Sequence, residues 1–264
     1  AIDLTVNGLG LIGDLFRATS VAPRTAVFMH VNDTFGQAMF KGVSAILPTL
    51  TNLPFKVVDT IPYDPAARDL TVEVSKAKST NADFLMLVCR LNDAIVLRRE
   101  MAKQRWNPMG IVGPGSPGLY EEQYTKVLGP LAEYAICNTV WFNPKSEMTK
   151  LVGGAFKKRY PKDLIDFHGT NVGYTFDAIL IAADAFKRAR STDPKALADA
   201  IRQTDIPANR RMSLGGPIRF NPKGQVEGNL SAAIQNLKGR PTVTLPAEYA
   251  EAKVVFPSPD YKKT

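Results

Sequence analysis

The stretch Thr25 to Lys41, TAVFMHVNDTFGQAMFK, constrains the fold most. Thr25–Val31 is a short apolar run with β-branched and aromatic members, the composition of a strand buried on both faces of a parallel sheet. Asn32, Asp33 and Thr34 then supply turn and N-cap residues, Gly36 lets the backbone pass closely, and Gln37 opens a helix. The pattern reads as strand, tight loop and helix N-terminus. In open α/β sheets, ligands sit beside such loops at the carboxyl ends of strands.

The same alternation continues. Strands are expected over Phe55–Ile61, Asp83–Arg90, Gly110–Gly113 and Ala132–Trp141, with helices over Ala67–Ser79 and Asn92–Gln104. Short strands alternating with longer helices imply parallel βαβ crossovers. From Ser146 to Gln203 the texture is helical: Ser146–Tyr160, Thr170–Arg190 and Pro194–Gln203, the last with proline in its first turn. Strand character returns at Gly215–Phe220 and Leu230–Leu237, joined through the turn Asn221–Gly224, and Thr242–Thr264 is expected to run over the surface.

The opening residues carry a competing signal. Gly8, Gly10 and Gly13 spell G-x-G-x-x-G after a short run, Asp3–Val6, that reads as a strand, and Asp33 stands about 20 residues on, where a dinucleotide site places its ribose-binding acid. VNGLGLIG followed by VND also resembles the opening of glyceraldehyde-3-phosphate dehydrogenases. That reading needs a nucleophilic cysteine beside a basic partner. Cys137 sits in the apolar run AICNTV, and Cys89 matches nothing in that family. The preferred reading is a glycine-punctuated turn leading into a helix over Leu11–Thr19.

Charge and cysteine usage narrow the class further. A net charge of +8 is dispersed along the chain rather than gathered into a patch, which argues against nucleic-acid binding. Two cysteines, Cys89 and Cys137, cannot build a disulfide scaffold and read as buried small hydrophobes with free thiols. No apolar run approaches the roughly 18 residues that cross a bilayer. His30 is mid-strand and reads as a core residue, and no metal, P-loop or nucleophile-elbow motif occurs. No cofactor and no catalytic constellation are expected.

Several stretches together carry a family resemblance: Thr25–Lys41, FKVVDTIPYDPAARD at 55–69, AKSTNADFLMLVCR at 77–90, IVGPGSPG at 111–118 and GGPIRFNPKG at 215–224. In this order they resemble the periplasmic solute-binding proteins that serve ABC importers of the branched-chain amino-acid type. The resemblance implies a two-lobed α/β fold of type I with a multi-strand hinge. It implies a remnant of lobe I at 1–21, lobe II at 22–142, helices of lobe I at 143–214 and a return to lobe II with a tail at 215–264. Much of lobe I is expected to lie outside this chain. The implied role is capture of a small organic solute in an interlobe cleft by a periplasmic or lipid-anchored monomer that works with a membrane permease, without nucleic acid as partner. A ligand-sensing receptor domain of the same fold is the alternative.

Matching the family's motif residue by residue places Asn32, Phe35, Arg90, Asn92, Gly115, Ser116 and Asn171 at the ligand. Phe35 falls where the family has an aromatic residue against the ligand. Asn171 falls where a late first-lobe residue closes over it. Arg90 replaces an aromatic, and Gly115 replaces the acid that pairs with an amino acid's ammonium. An ammonium buried without a partner is costly, so the expected ligand is a carboxylate with an apolar or aromatic body. Arg90 is its anchor, unless the guanidinium pairs structurally with Asp93, and Ser116 offers a hydroxyl beside it.

Overall fold

The structure, a computed structural model, describes residues 2–261, with side chains from Thr5 onward. It divides into two compact units, residues 1–139 with 232–264, and residues 140–231.

The first unit is a doubly wound sheet. Its elements are α1 (Ile2–Thr19), β1 (Thr25–Val31), α2 (Thr34–Ile46), β2 (Lys56–Tyr63), α3 (Thr71–Ser79), β3 (Phe84–Val88), α4 (Leu91–Lys103), β4 (Ile111–Pro114), α5 (Glu122–Leu128) and β5 (Ile136–Val140). The second unit holds α6 (Glu147–Arg159), α7 (Gly169–Ala189) and α8 (Pro194–Arg202); β6 (Ser231–Leu237) and β7 (Arg240–Leu245) complete the sheet. The strand order is β2-β1-β3-β4-β5-β6-β7. Strands β1 to β5 pair in parallel, and β6 with β7 antiparallel. This is the mixed α/β architecture expected from the alternation of short strands and helices.

Residue choice explains each strand's place. In β1 every residue after Thr25 is buried, as suits a strand covered on both faces. β2 lies at the sheet edge and its burial alternates over most of its length, so one face meets solvent. The core beneath β1 and β3 gathers Phe28, Phe84 and Met86 against Leu9, Ile12 and Phe16 of α1. Phe16 meets Phe55 and Phe84 edge-on, at 5.9 and 5.6 Å between ring centroids. Such pairs contribute about 0.5–1.5 kcal/mol each beyond their area burial.

The opening segment corrects one expectation. Asp3–Val6 is not a strand but part of α1, which runs unbroken through Gly8, Gly10 and Gly13. Thr5, Gly8, Leu9, Ile12, Leu15 and Phe16 are among its buried positions, with Leu11 and Gly13 beside them, a helical period that overrides the glycine spacing. The glycines therefore lie within a helix rather than at a helix N-terminus. The Gly8 carbonyl accepts a buried hydrogen bond from Asn138 Nδ2 at 2.8 Å.

The tail differs as well. It contributes β7, whose Pro241–Leu245 are buried in the sheet rather than spread over the surface. Lys238 (φ 55°) and Gly239 (φ 76°) form the tight turn before it. Gly215–Phe220 forms only isolated antiparallel bridges, Gly215 with Asn229, Ile218 with Ile206 and Phe220 with Val226. Pro217 has no N–H with which to continue a ladder.

The second unit is organised around a buried polar group. Asp177 of α7 accepts from Met212 N (2.7 Å) and Ser213 N (3.2 Å), and lies 3.5 Å from Arg211 Nε. Arg211 Nη2 also donates to Asn229 Oδ1 at 2.6 Å. Among the described residues no helix is long and apolar enough to cross a membrane.

Candidate functional site

The strand order 2-1-3 places a topological switch point between β1 and β3, where ligands of doubly wound sheets bind beyond the carboxyl ends of the strands. The two chain segments leaving those strands meet there.

At the exit of β1, Asp33 is the N-cap of α2. Its Oδ1 accepts from Gly36 N at 2.8 Å. A Cβ on Gly36 would stand 1.7 Å from the Val31 carbonyl oxygen, so only glycine permits this close turn. Asn32 is exposed beside it, its N–H donating to Tyr63 O (2.7 Å) and its Oδ1 accepting from Gln37 Nε2 (3.0 Å). Phe35 is half-buried, one side against the core.

At the exit of β3, Arg90 opens α4 with its side chain 53% exposed. The guanidinium lies over the Phe35 ring, 5.0 Å from the centroid, and Nε donates to Asp33 Oδ2 at 2.6 Å. Asp93 is thus not the guanidinium's partner. Its carboxylate instead accepts from the Arg90 backbone N–H (3.0 and 3.1 Å) and from the Tyr63 hydroxyl (2.6 Å). Asn92 is exposed in the first turn of α4.

The two acids titrate in opposite directions. Burial pulls the Asp33 carboxyl upward, but the Gly36 N–H and the Arg90 guanidinium outweigh it and hold the carboxyl below its ordinary value. At Asp93 burial prevails, and the carboxyl sits above its ordinary value despite the Tyr63 hydroxyl and the Arg90 N–H.

At the exit of β4, Gly115 takes φ 85°, a left-handed turn that favours glycine. Ser116 follows that turn. It is fully buried, and its hydroxyl accepts from Cys89 N (2.8 Å) while donating to Cys89 O (3.0 Å). That hydroxyl ties the β4 loop to the end of β3 and is not turned outward to a ligand. Cys137 Sγ donates to Ser116 O at 2.7 Å. Cys89 and Cys137 are both free and buried, and burial pushes both thiols up, away from thiolate reactivity. His30 is a core residue, stacked on Phe40 at 5.0 Å between ring centroids.

The switch point therefore brings together Asn32, Phe35 and Arg90, with Asn92 in the first turn of α4 and Gly115 and Ser116 on the adjoining loop. Asn171 belongs to the second unit, exposed in the first turn of α7, where it lines an apolar groove with Phe156, Tyr160 and Phe176. Sequence reasoning missed Asp33 as a member of the site. Its legible signal was an N-cap acid at the end of a central strand, with a cation ending the neighbouring strand. Among the described residues no group of three or more His, Cys, Asp or Glu is placed to hold a metal ion.

The chain belongs to the periplasmic binding protein family, whose profile matches residues 14–239. No curated protein sequence matched the chain. Among solved structures it is similar to a leucine-binding protein from Thermotoga maritima, at 17% identity and TM-score 0.72, over 97% of this chain and 66% of that one. A fatty-acid ABC transporter substrate-binding protein from Thermomonospora curvata superimposes at 16% identity and TM-score 0.71, over 97% and 64% of the two chains. A solute-binding protein of an ABC transporter from Rhodopseudomonas palustris, solved with benzoate, does so at 13% identity and TM-score 0.68, over 91% and 62%. The chain thus spans just under two thirds of the length of these neighbours, and they establish its fold.

Proposed function

We propose that this chain captures a small organic carboxylate outside the cytoplasm for the membrane permease of an ABC importer. It does so as a monomer and without chemical change to the solute. Family membership supports the capture role, and the neighbours named above are described as binding leucine, benzoate or fatty acids. Those ligands share a carboxylate on an apolar body. In this reading the unit formed by residues 1–139 and 232–264 corresponds to the second lobe, and residues 140–231 supply first-lobe helices.

The observation that carries the ligand class is Arg90. Its guanidinium stands half-exposed at the switch point, over an aromatic ring, and among the described residues only Asp33 takes one of its N–H groups. The planar fork matches a carboxylate, and Phe35 offers a face to the ligand body. Calorimetry on the full-length gene product tests this, with the tightest ligand from a thermal-shift panel of amino acids, aromatic acids and fatty acids. A charge-assisted hydrogen bond contributes about 1.5–3 kcal/mol, so Arg90→Ala should weaken binding about ten- to a hundredfold. Arg90→Lys should regain only part, because a point charge cannot make the paired contact. Undiminished affinity in Arg90→Ala would remove Arg90 from the site and reopen the ligand class.

A further inference from the structure

We infer that Asp33 is a positioning and specificity-determining residue, which aims Arg90 and restricts the site to ligands with a single carboxylate. This rests on Arg90 being the anion anchor. Asp33 touches Arg90 through Nε at 2.6 Å, on the side edge of the guanidinium, and among the described residues neither Nη group has a partner. A ligand carboxylate therefore meets the end-on edge with its two Nη groups, the guanidinium carbon standing 5.0 Å from the Phe35 ring centroid. Without Asp33, the exposed side chain has no second tether besides the ring and presents either edge.

Asp33 is itself held at both oxygens, Oδ1 by the Gly36 N–H and Oδ2 by Arg90. It is 23% exposed and ionised at neutral pH, since its carboxyl is held below the ordinary range. An ammonium would compete with both partners, so the acid serves Arg90 rather than a ligand cation. Its charge remains within a Debye length, about 8–10 Å, of anything bound at Arg90. The Arg90–Asp33 pair sums to zero charge. One carboxylate gains the paired hydrogen bonds of the fork, whereas a second anionic group on the same ligand is repelled by Asp33. The buried acid Asp93 beneath the loop adds no positive charge to offset this.

Asp33→Asn is the informative variant. Asparagine also caps helices, so the start of α2 is kept while the charge and the ion pair to Arg90 are removed. The probes are benzoate against phthalate and hexanoate against adipate, titrated calorimetrically into parent, Asp33→Asn, Arg90→Ala and the double variant. The parent is expected to prefer the monocarboxylate of each pair. In Asp33→Asn the monocarboxylate should weaken and the dicarboxylate strengthen, so that their affinity ratio falls about three- to tenfold, as unit charges at such range act across partly screened solvent. In the Arg90→Ala background, Asp33→Asn should no longer weaken monocarboxylate binding, because no guanidinium remains to be aimed and a nearby like charge is removed. An unaltered ratio in Asp33→Asn, with Arg90→Ala still crippled, overturns the role of Asp33 alone. If neither benzoate nor hexanoate binds the parent, or Arg90→Ala binds them as tightly, the carboxylate reading falls with it.

Discussion

Replacing Ser116 with alanine tests whether its hydroxyl serves the fold or a ligand. The hydroxyl bridges Cys89 N (2.8 Å) and Cys89 O (3.0 Å), and both residues are fully buried. Alanine removes the bridge and leaves one donor and one acceptor on the Cys89 backbone. A buried polar group left unpaired costs about 1–3 kcal/mol, so the pair costs about 2–6 kcal/mol. The space vacated is a single hydroxyl oxygen, too small to admit a water that could satisfy both groups. Urea unfolding followed by tryptophan fluorescence measures the loss. Trp106 lies in the first unit and Trp141 in the second, so a Trp141→Phe background confines the signal to the unit that holds Ser116. With a urea slope of about 2–3 kcal/mol/M, the midpoint should fall by about 0.7–3 M. Ligand affinity, measured where the variant is still folded, should change less than threefold. A midpoint within about 0.2 M of the parent, combined with a tenfold loss of affinity, would refute the reasoning and return Ser116 to the ligand.

Three further outcomes are expected. Gly36→Ala forces a Cβ to within 1.7 Å of Val31 O and should cost more than about 3 kcal/mol, seen as a drop in melting temperature or loss of folded protein. Asp177→Asn removes the buried carboxylate that lies 3.5 Å from Arg211 Nε and accepts from Met212 N, and should destabilise by about 3–5 kcal/mol, read from the Trp141 unfolding transition in a Trp106→Phe background. The Asp33 carboxyl is lowered in the fold, so its stabilising contribution is fully present above the ordinary aspartate value near 4 and is lost as pH falls through the lowered folded value. The melting-temperature advantage of the parent over Asp33→Asn should therefore hold at pH 6 and close towards pH 3; a gap that widens on acidification would contradict it.

The sheet was legible because its strands are short apolar runs that end in turn residues, as Thr25–Val31 does before Asn32 and Asp33. Helix α1 was not, because its glycines imitate a phosphate-binding turn, while the deciding period runs through Thr5, Gly8, Leu9, Ile12 and Phe16 across that motif. Strand β7 was hidden by Pro241. That proline pairs with Asn236 on the end strand of the sheet, where a missing N–H can face away from the ladder. In the candidate site, the end of an apolar strand marked Arg90 and the family motif marked Phe35. Their joint partner Asp33 lies 57 residues from Arg90, and only the adjacency of β1 and β3 brings the two together. The inward turn of Ser116 follows from the left-handed Gly115 before it, and a one-letter reading does not fix the direction of a side chain after such a turn.

The most direct test is an experimental structure of the full-length gene product with its carboxylate ligand bound. The ligand carboxylate should lie about 2.7–2.9 Å from the two Nη atoms of Arg90, with the ligand body against Phe35 and Asp33 still on Nε. A ligand held with its carboxylate away from Arg90, or Arg90 turned off Phe35 and paired only with protein groups, would contradict the account.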